Sequence, residues 1–421
     1  MLDKKRNNIK TITLGCRFNF YESEVSKAIV NTFQPDSDVI IVNTCSVTHE
    51  AERQSKQTVR KVIRENPNAK IIVTGCAAET DLEYFKNLKG VFKIISNKEK
   101  NEPSSYFDIS NNIPKGALKK EFDINESDRL FENKARAFLQ IQNGCDHFCT
   151  YCIVPFARGA SKSLPSEVVL NRVEHFIKLG FKEIVLSGID IASYGKDLGN
   201  MDLADLISSI LNGYPQMKRL RISSIDPNGV DSKLLDLFIN ETRIMPYFHL
   251  SIQSGDNVVL QSMRRRHSRE KVLDICDKIL TKRKDAVLGG DFIAGFPIET
   301  EEMFMNSLSL IDSAHLSLLH IFPYSSRAGT IAASMIQLPQ NVIFKRAQIL
   351  HKKAQKVKNE LFERLVGERV SGIVEKFENG ISFGKTDSFL PFRVQCPLQQ
   401  NDMVEFFVSG FDKISLILSK D

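Results

Sequence analysis

Ala137-Phe138-Leu139-Gln140-Ile141-Gln142-Asn143-Gly144-Cys145-Asp146-His147-Phe148-Cys149-Thr150-Tyr151-Cys152 decides how this chain is read. The first six residues form a short apolar run of strand type, and a Cys-x3-Cys-x2-Cys motif follows directly. Three closely spaced thiolates are soft ligands that suit an iron–sulfur cluster. Such a triplet leaves the fourth iron of a cubane open to a small molecule. Zinc, with His147 as a fourth ligand, is the alternative, although structural zinc sites usually use paired Cys and His spacings.

Downstream of Arg136, short apolar runs alternate with helical periodicity. The candidate strands are Ala137–Gln142, Glu183–Ser187, Arg219–Ser223, Tyr247–Ile252, Val287–Ala294 and Ser317–Phe322. Six βα units in series predict an incomplete (β/α)6 barrel, because a full eightfold barrel takes about 250 residues. A helix over Val342–Leu365 ends this region. Five short runs follow: Val370–Glu375, Ile381–Thr386, Phe389–Val394, Met403–Val408 and Ile414–Leu418. Turn residues such as Asn379-Gly380 separate them, which predicts a small antiparallel β-barrel.

Upstream, strands at Ile9–Leu14, Val39–Asn43 and Lys70–Thr74 precede helical stretches at Tyr21–Thr32, His49–Asn66 and Thr80–Lys89. This βα repeat predicts an α/β domain built on a doubly wound parallel sheet. A cysteine follows each strand, in Leu14-Gly15-Cys16, Asn43-Thr44-Cys45 and Thr74-Gly75-Cys76. Ligands bind outside the carboxyl ends of such strands. Three thiols there can converge, and the following helix N-termini favour the thiolate form. One cysteine in this position would read as a core residue; three in register read as a second metal site. Cys276 and Cys396 fit no ligand spacing and are read as structural.

The expected organisation is an N-terminal cluster domain over 1–98, a linker over 99–134, a barrel over 135–357 and a small β-barrel over 358–421. The linker is polar and poorly periodic, as at Asn111-Asn112-Ile113-Pro114, with room for one edge strand.

A chain of 421 residues with 42% hydrophobic and 26% charged content is globular, not disordered. No run approaches 18 apolar residues, so no membrane partner is expected. The start, Met1-Leu2-Asp3-Lys4-Lys5-Arg6, leads into an apolar run too short for a signal peptide. A cytoplasmic protein is expected, in which cysteines serve as ligands more often than as disulfides. The net charge of +6 permits nucleic acid without demanding it. Basic residues cluster at Lys345, Arg346, Lys352, Lys353, Lys356 and Lys358, along Arg264–Lys284, and on the helix face of Arg53, Lys56, Arg60 and Arg64. Each cluster reads either as phosphate contacts or as a solvated face. The last domain carries more acidic than basic residues. Its Phe383, Phe389, Phe392 and Arg393 either offer a surface for bases or fill the core.

The cysteine motif with Tyr151 before its last Cys resembles the radical S-adenosylmethionine enzymes. Ile153-Val154-Pro155-Phe156-Ala157-Arg158-Gly159 is similar to their methylthiotransferase branch, as are the N-terminal cysteines. Leu186-Ser187-Gly188, Arg221-Ile222-Ser223-Ser224, the run His249–Gly255, Gly295-Phe296-Pro297 and Phe322-Pro323-Tyr324-Ser325 agree. The C-terminal barrel is similar to a TRAM domain.

The resemblance implies two [4Fe-4S] clusters and S-adenosyl-L-methionine. The catalytic cluster would sit on Cys145, Cys149 and Cys152, with S-adenosylmethionine on its open iron. The other, on Cys16, Cys45 and Cys76, would carry or supply sulfur. Around the cofactor, Tyr151 adjoins the cluster, and Gly188 lets backbone approach or merely turns. Ser251 and Gln253 share one strand face as cofactor ligands or core polar groups, and Arg266 meets the methionine carboxylate or stays solvated.

Within the family, Thr13-Leu14-Gly15-Cys16-x-x-Asn19, Val42-Asn43-Thr44-Cys45-x-Val47-Thr48 and Phe156-Ala157-Arg158-Gly159 look most like one group of members. These add a methylthio group to C2 of N6-threonylcarbamoyladenosine at position 37 of tRNA. N6-isopentenyladenosine in tRNA or a ribosomal-protein aspartate is the alternative substrate. A non-enzymatic iron–sulfur carrier or RNA-binding protein is the alternative from another class, although a carrier needs no barrel cavity. The implied partners are the tRNA anticodon stem-loop, a flavodoxin-like electron donor and an unnamed sulfur donor.

Overall fold

A computed structural model describes residues 9–33, 38–107, 122–127, 130–131, 134–199 and 201–420. The charged start and Asn111-Asn112-Ile113-Pro114 lie outside them. The N-terminal sheet is parallel with strand order β1-β2-β3-β4: β1 (Lys10–Thr13), β2 (Val39–Thr44), β3 (Lys70–Gly75) and β4 (Val91–Ile95). Helices cover both faces, and the alternation of the strands decides which residues each receives. Ile41 and Ile72 pack with Tyr21, Val25 and Ile29 of α1 (Arg17–Phe33). On the other face Ile40, Val42, Ile71 and Val73 pack with Val59 and Val62 of α2 (His49–Glu65). Thr48 caps α2, accepting from Ala51 N at 3.1 Å, and Glu50 and Glu52 complement the positive end of its dipole.

Two details here differ from the sequence reading. The helix expected over Thr80–Lys89 is two short pieces, α3 (Cys76–Thr80) and α4 (Leu82–Lys86), broken at Asp81. The fourth strand, Val91–Ile95, has too little alternation to stand out.

The central region is an open (β/α)6 barrel. Its parallel strands are β5 (Ala137–Asn143), β7 (Glu183–Gly188), β8 (Arg219–Ile222), β9 (Tyr247–Gln253), β10 (Val287–Ala294) and β11 (Leu318–Pro323). The first three form one sheet with a short antiparallel edge, β6 (Lys162–Ser163), and the last three another. Parallel bridges Leu220–Ile244 and Ile225–Leu250 join the two sheets. The helices between the strands are α5 (Val154–Arg158), α6 (Ser166–Lys178), α7 (Leu203–Gly213), α8 (Ser232–Asn240), α9 (Asn257–Ser262), α10 (Arg269–Lys282) and α11 (Glu301–Ser313). A 26-residue helix, α12 (Gln340–Leu365), leads to a closed five-stranded barrel. Its strands are β12 (Arg369–Glu378), β13 (Ile381–Thr386), β14 (Pro391–Val394), β15 (Met403–Phe411) and β16 (Leu416–Ser419). Its pairs are antiparallel except the parallel seam between β14 and β16.

The domains share cores. Tyr21, Val25 and Ile29 of α1 belong to the same buried cluster as Leu139 and Ile141 of β5. The segment read as a linker is built into that cluster: Phe107 and Phe122 meet Phe33 edge-on, and Phe131 packs against Phe20, Phe138 and Phe176. Among its described residues there is no strand.

At the base of the barrel, buried Glu183 accepts from Arg136 at 2.7 Å, Arg219 at 2.9 Å and Arg221 at 2.6 Å. Burial alone would raise its carboxyl, but the arginines overcome this and hold it far below the ordinary range. Arg136 and Arg219 also pair with Glu375 and Asp387 of the C-terminal domain. Phe389 stacks on Tyr247 at 5.6 Å, and the guanidiniums of Arg17 and Arg221 lie 4.4 and 4.8 Å from its ring centre. Its φ of 68°, costly for a bulky residue, is held by these contacts. Phe389 therefore plugs the barrel, and Phe392 lies in the C-terminal core, so neither offers a face to a base. Phe389→Ala is expected to cost about 3 kcal/mol in denaturant unfolding and to loosen the C-terminal domain first in hydrogen exchange.

Candidate metal centres

Glycines bring the N-terminal cysteines together. Gly15 has φ +90°, and a Cβ there would lie 2.6 Å from Cys45 Sγ. Gly75 has φ +100°, and its Cβ would meet Thr44 O at 2.3 Å. The Gly-Cys pairs thus let Cys16 and Cys76 turn in against Cys45, where any side chain would push the strand ends apart. Ser55 of α2 fixes Cys45, accepting from its N–H and donating to its carbonyl, both at 3.0 Å. Thr44 Oγ1 donates to Thr74 O at 2.6 Å and accepts from Ala78 N at 3.1 Å, tying β2 to the start of α3. Cys45 and Cys76 are buried and Cys16 is exposed.

The second triplet lies past β5. Cys145 N donates to Gly159 O at 3.1 Å and Cys152 N to Cys149 O at 2.9 Å, curling the loop so that all three thiols are half-buried. Thr150 fastens this loop to the end of α9, through its N–H to Met263 O at 3.1 Å and its hydroxyl to Ser262 O at 2.9 Å. Burial pushes Cys45 and Cys145 up to about 11 and Cys152 up to about 12, and mutual repulsion adds to each. Such thiols ionise when a bound cation compensates, so both donor sets fit a thiolate-ligated cluster. His147 Nε2 lies 2.5 Å from Asp190 Oδ2 and 2.6 Å from Arg266 Nη2, and His147, Asp190 and Cys145 bring their ligand atoms within 4.8 Å of one another.

The residues expected around the cofactor divide. Gly188 sits tightly against β5: a Cβ there would lie 3.0 Å from Gln142 Oε1. Tyr151 is held against the packed group of Val259, Met263, Phe296 and Tyr324, and burial pushes its hydroxyl well up. Gln253 ends β9 at φ +76°, and its side-chain amide makes no hydrogen bond to the described residues. Ser223, at the end of β8, has a buried hydroxyl that is likewise without a partner. Unpartnered polar groups at two neighbouring strand ends fit a polar ligand. Ser251 contributes backbone: its carbonyl accepts from Arg265 Nη2 at 2.5 Å.

Arg266 is exposed, with Nη2 2.6 Å from His147 Nε2 and 3.5 Å from Asp226 Oδ2. Its neighbour Arg265 is the buried one, with Nη1 3.8 Å from Cys149 Sγ and Nη2 3.3 Å from Asp226. A run of three arginines gives no sequence signal as to which turns inward.

The two cysteine-bearing regions meet where α3, which begins at Cys76, packs on α5, which follows Cys152. Asn97 Nδ2 donates to Ala157 O at 2.7 Å across this contact. Arg158, at the end of α5, crosses into the N-terminal domain. Its Nη1 reaches Glu22 Oε1 at 2.9 Å and its Nη2 reaches Asn19 Oδ1 at 2.6 Å. Asn19 in turn donates to Leu14 O at 2.8 Å and Thr44 O at 3.0 Å, the backbone that carries Cys16 and Cys45. Lys100, from the segment read as linker, reaches Glu22 at 2.6 Å and Asn43 at 3.2 Å. On the far side, Ser325 accepts from His49 N at 2.9 Å and Arg327 pairs with Glu52 at 2.5 Å.

The barrel and its cysteine loop are those of a radical S-adenosylmethionine enzyme, and residues 139–311 match the Radical SAM superfamily. Residues 8–96 match Uncharacterized protein family UPF0004. Curated relatives include the threonylcarbamoyladenosine tRNA methylthiotransferase MtaB of Rickettsia prowazekii, 42% identical over 396 residues and 92% of each chain. That of Bacillus subtilis is 33% identical over 404 residues, 90% of this chain and 88% of the relative. The tRNA-2-methylthio-N(6)-dimethylallyladenosine synthase of Roseobacter denitrificans is 31% identical over 420 residues, 93% of this chain and 94% of the relative. Among solved structures, the radical S-adenosylmethionine methyltransferase TsrM from Kitasatospora setae, with cobalamin and a [4Fe-4S] cluster bound, aligns at TM-score 0.51 and 12% identity. That alignment covers 90% of this chain and 80% of TsrM, and it shows the shared fold. At these identities and coverages to its curated relatives, the chain belongs to the MtaB family of methylthiotransferases. Its cofactors are accordingly [4Fe-4S] clusters and S-adenosylmethionine.

Glu22 carries the contact between the domains. Burial would raise its carboxyl, but Arg158 and Lys100 hold it at about 2, against an ordinary value of 4.5. A depressed carboxyl contributes stability that is present above about pH 4.5 and lost as pH falls toward 2. Glu22→Gln, which leaves two buried cations uncompensated, is expected to cost about 3–5 kcal/mol at neutral pH. It should also flatten the acid limb of the stability profile, measured by urea unfolding at stepped pH.

Proposed function

We propose that this chain adds a methylthio group to N6-threonylcarbamoyladenosine beside the tRNA anticodon. The observation that carries the reading is the packing of α3 on α5, which joins the domain of one cysteine triplet to the helix that follows the other. Cys145, Cys149 and Cys152 would hold the cluster that binds S-adenosylmethionine, and Cys16, Cys45 and Cys76 the cluster associated with sulfur. When bound, the first group supplies one-electron cleavage of S-adenosylmethionine, which yields a radical able to take hydrogen from an unactivated carbon.

The chain's own residues bind, orient and shield. Arg265 places a fixed positive charge beside Cys149, with Nη1 3.8 Å from its Sγ. Ser223 and Gln253 present free polar groups at the ends of β8 and β9, to orient the polar part of S-adenosylmethionine. Arg158 and Asn19 hold the N-terminal triplet at a fixed distance from the barrel. Phe389 and the Glu183 arginine group join the C-terminal domain to the start of the barrel strands.

The RNA partner calls on fewer basic residues than the sequence offers. Arg346 is buried on Glu299 at 3.0 Å, Lys353 pairs with Asp312, and Lys56 with Glu52 and Asp81. Lys345 and Lys352 on α12, and Arg60 and Arg64 on α2, remain exposed for phosphates, while exposed Lys356 lies 3.7 Å from Glu360. Among the described residues no helix is long and apolar enough to cross a membrane. A flavodoxin-like protein would supply electrons.

Mass spectrometry of nucleosides from a deletion strain and its complemented parent tests the reading. Loss of the methylthio form of threonylcarbamoyladenosine alone is expected. Loss of methylthio-isopentenyladenosine would keep the chemistry and change the substrate. No change in any tRNA nucleoside would overturn the reading.

A further inference from the structure

Two large aromatic side chains stand in solvent beside the cluster loop. Phe148, between His147 and Cys149, is 51% exposed, and Phe156, in α5, is 57% exposed. Their rings meet edge to face, with centres 6.2 Å apart, so the two form one corner. Phe148 holds φ +47°, a left-handed conformation that a bulky residue rarely adopts. Strain and hydrophobic exposure coincide there, next to a metal ligand and facing away from the core. Neither serves stability, which marks the place as functional.

Charges of both signs surround them, with exposed Asp146 in the same loop and Asp190 beside His147. Thr150 bolts the cluster loop to the end of α9, and the exposed Arg264 and Arg266 follow directly. Arg266 Nη2 lies 2.6 Å from His147 Nε2, so a guanidinium is anchored one residue from Phe148. Arg158 and Lys100, which could add charge, are buried on Glu22 and do not reach this surface. An aromatic corner flanked by arginines is a platform for single-stranded nucleic acid, whose bases stack while its phosphates pair with the cations.

We propose that Phe148 and Phe156 stack on bases of the tRNA anticodon loop and, with Arg264 and Arg266, guide the target base between the two cysteine triplets. This rests on the RNA substrate proposed above. Such a platform works by planar contact, so aromatic replacements conserve it and aliphatic ones do not.

The test is fluorescence anisotropy of a labelled anticodon stem-loop on the cluster-loaded protein. The variants are Phe148→Leu/Phe156→Leu and Phe148→Tyr/Phe156→Tyr, each checked for iron content and melting temperature. Each lost stack is expected to weaken binding roughly tenfold. The double Leu variant should therefore bind far more weakly, with iron content and melting temperature at the parent values, while the double Tyr variant binds within a few-fold of the parent. Parent-like binding by the Leu variant overturns the platform, as does equal loss in the Leu and Tyr variants. The stem-loop is used with threonylcarbamoyladenosine, with isopentenyladenosine and with plain adenosine. If the parent prefers isopentenyladenosine, the substrate reading fails while the aromatic comparison still decides the platform. If the parent binds none of them, both fall.

Discussion

Arg158 holding Glu22 and Asn19 is the contact on which the arrangement depends. The two cysteine triplets arise on separate βα systems, and nothing in either system alone fixes the distance between them. Arg158 leaves the loop that carries one triplet and hydrogen-bonds to the side chain that supports the backbone of the other. A buried ion group does not stabilise well in itself, since desolvation takes back much of the attraction, but breaking it is costly and its geometry is strict. Here that strictness serves position. Lys100 completes the group, and Glu22 is satisfied on both oxygens.

A second buried charge group repeats the device at the opposite end of the barrel. Glu183 gathers Arg136, Arg219 and Arg221, and two of these arginines pass on to acidic residues of the C-terminal domain. Phe389 fills the space between them. The net acidic balance of that domain thus has a structural cause, since Glu375 and Asp387 face the barrel's arginines. The C-terminal domain thus meets the barrel at the start of its strands, and α12 packs along β11.

Much of this was legible in the chain. Six strands of the central barrel and five of the terminal one follow from apolar runs between turn residues, and their bounds agree within a few residues. The cysteine triplets stood out because a thiol at a strand end is rare and a register of three is informative. What sequence could not supply was pairing across distance. Glu22 and Lys100 are 78 residues apart and Glu22 and Arg158 are 136 apart, with no local pattern to link them. The polar character of 99–134 hid the buried Phe107, Phe122 and Phe131, which are spaced for packing onto other elements and so show no period of their own. Arg265 and Arg266 are indistinguishable in composition, and only the direction of the chain after α9 decides which is buried.

The central claim is that the two clusters lie close to one another. Electron paramagnetic resonance of the reduced protein tests it directly, compared with two variants in which Cys16, Cys45 and Cys76, or Cys145, Cys149 and Cys152, are replaced by Ala. Each variant should retain about four iron atoms, one cluster's content. The parent spectrum is expected to show broadening and faster relaxation from coupling between neighbouring spins. A parent spectrum equal to the sum of the two variant spectra, or a parent holding only one cluster, would contradict the account.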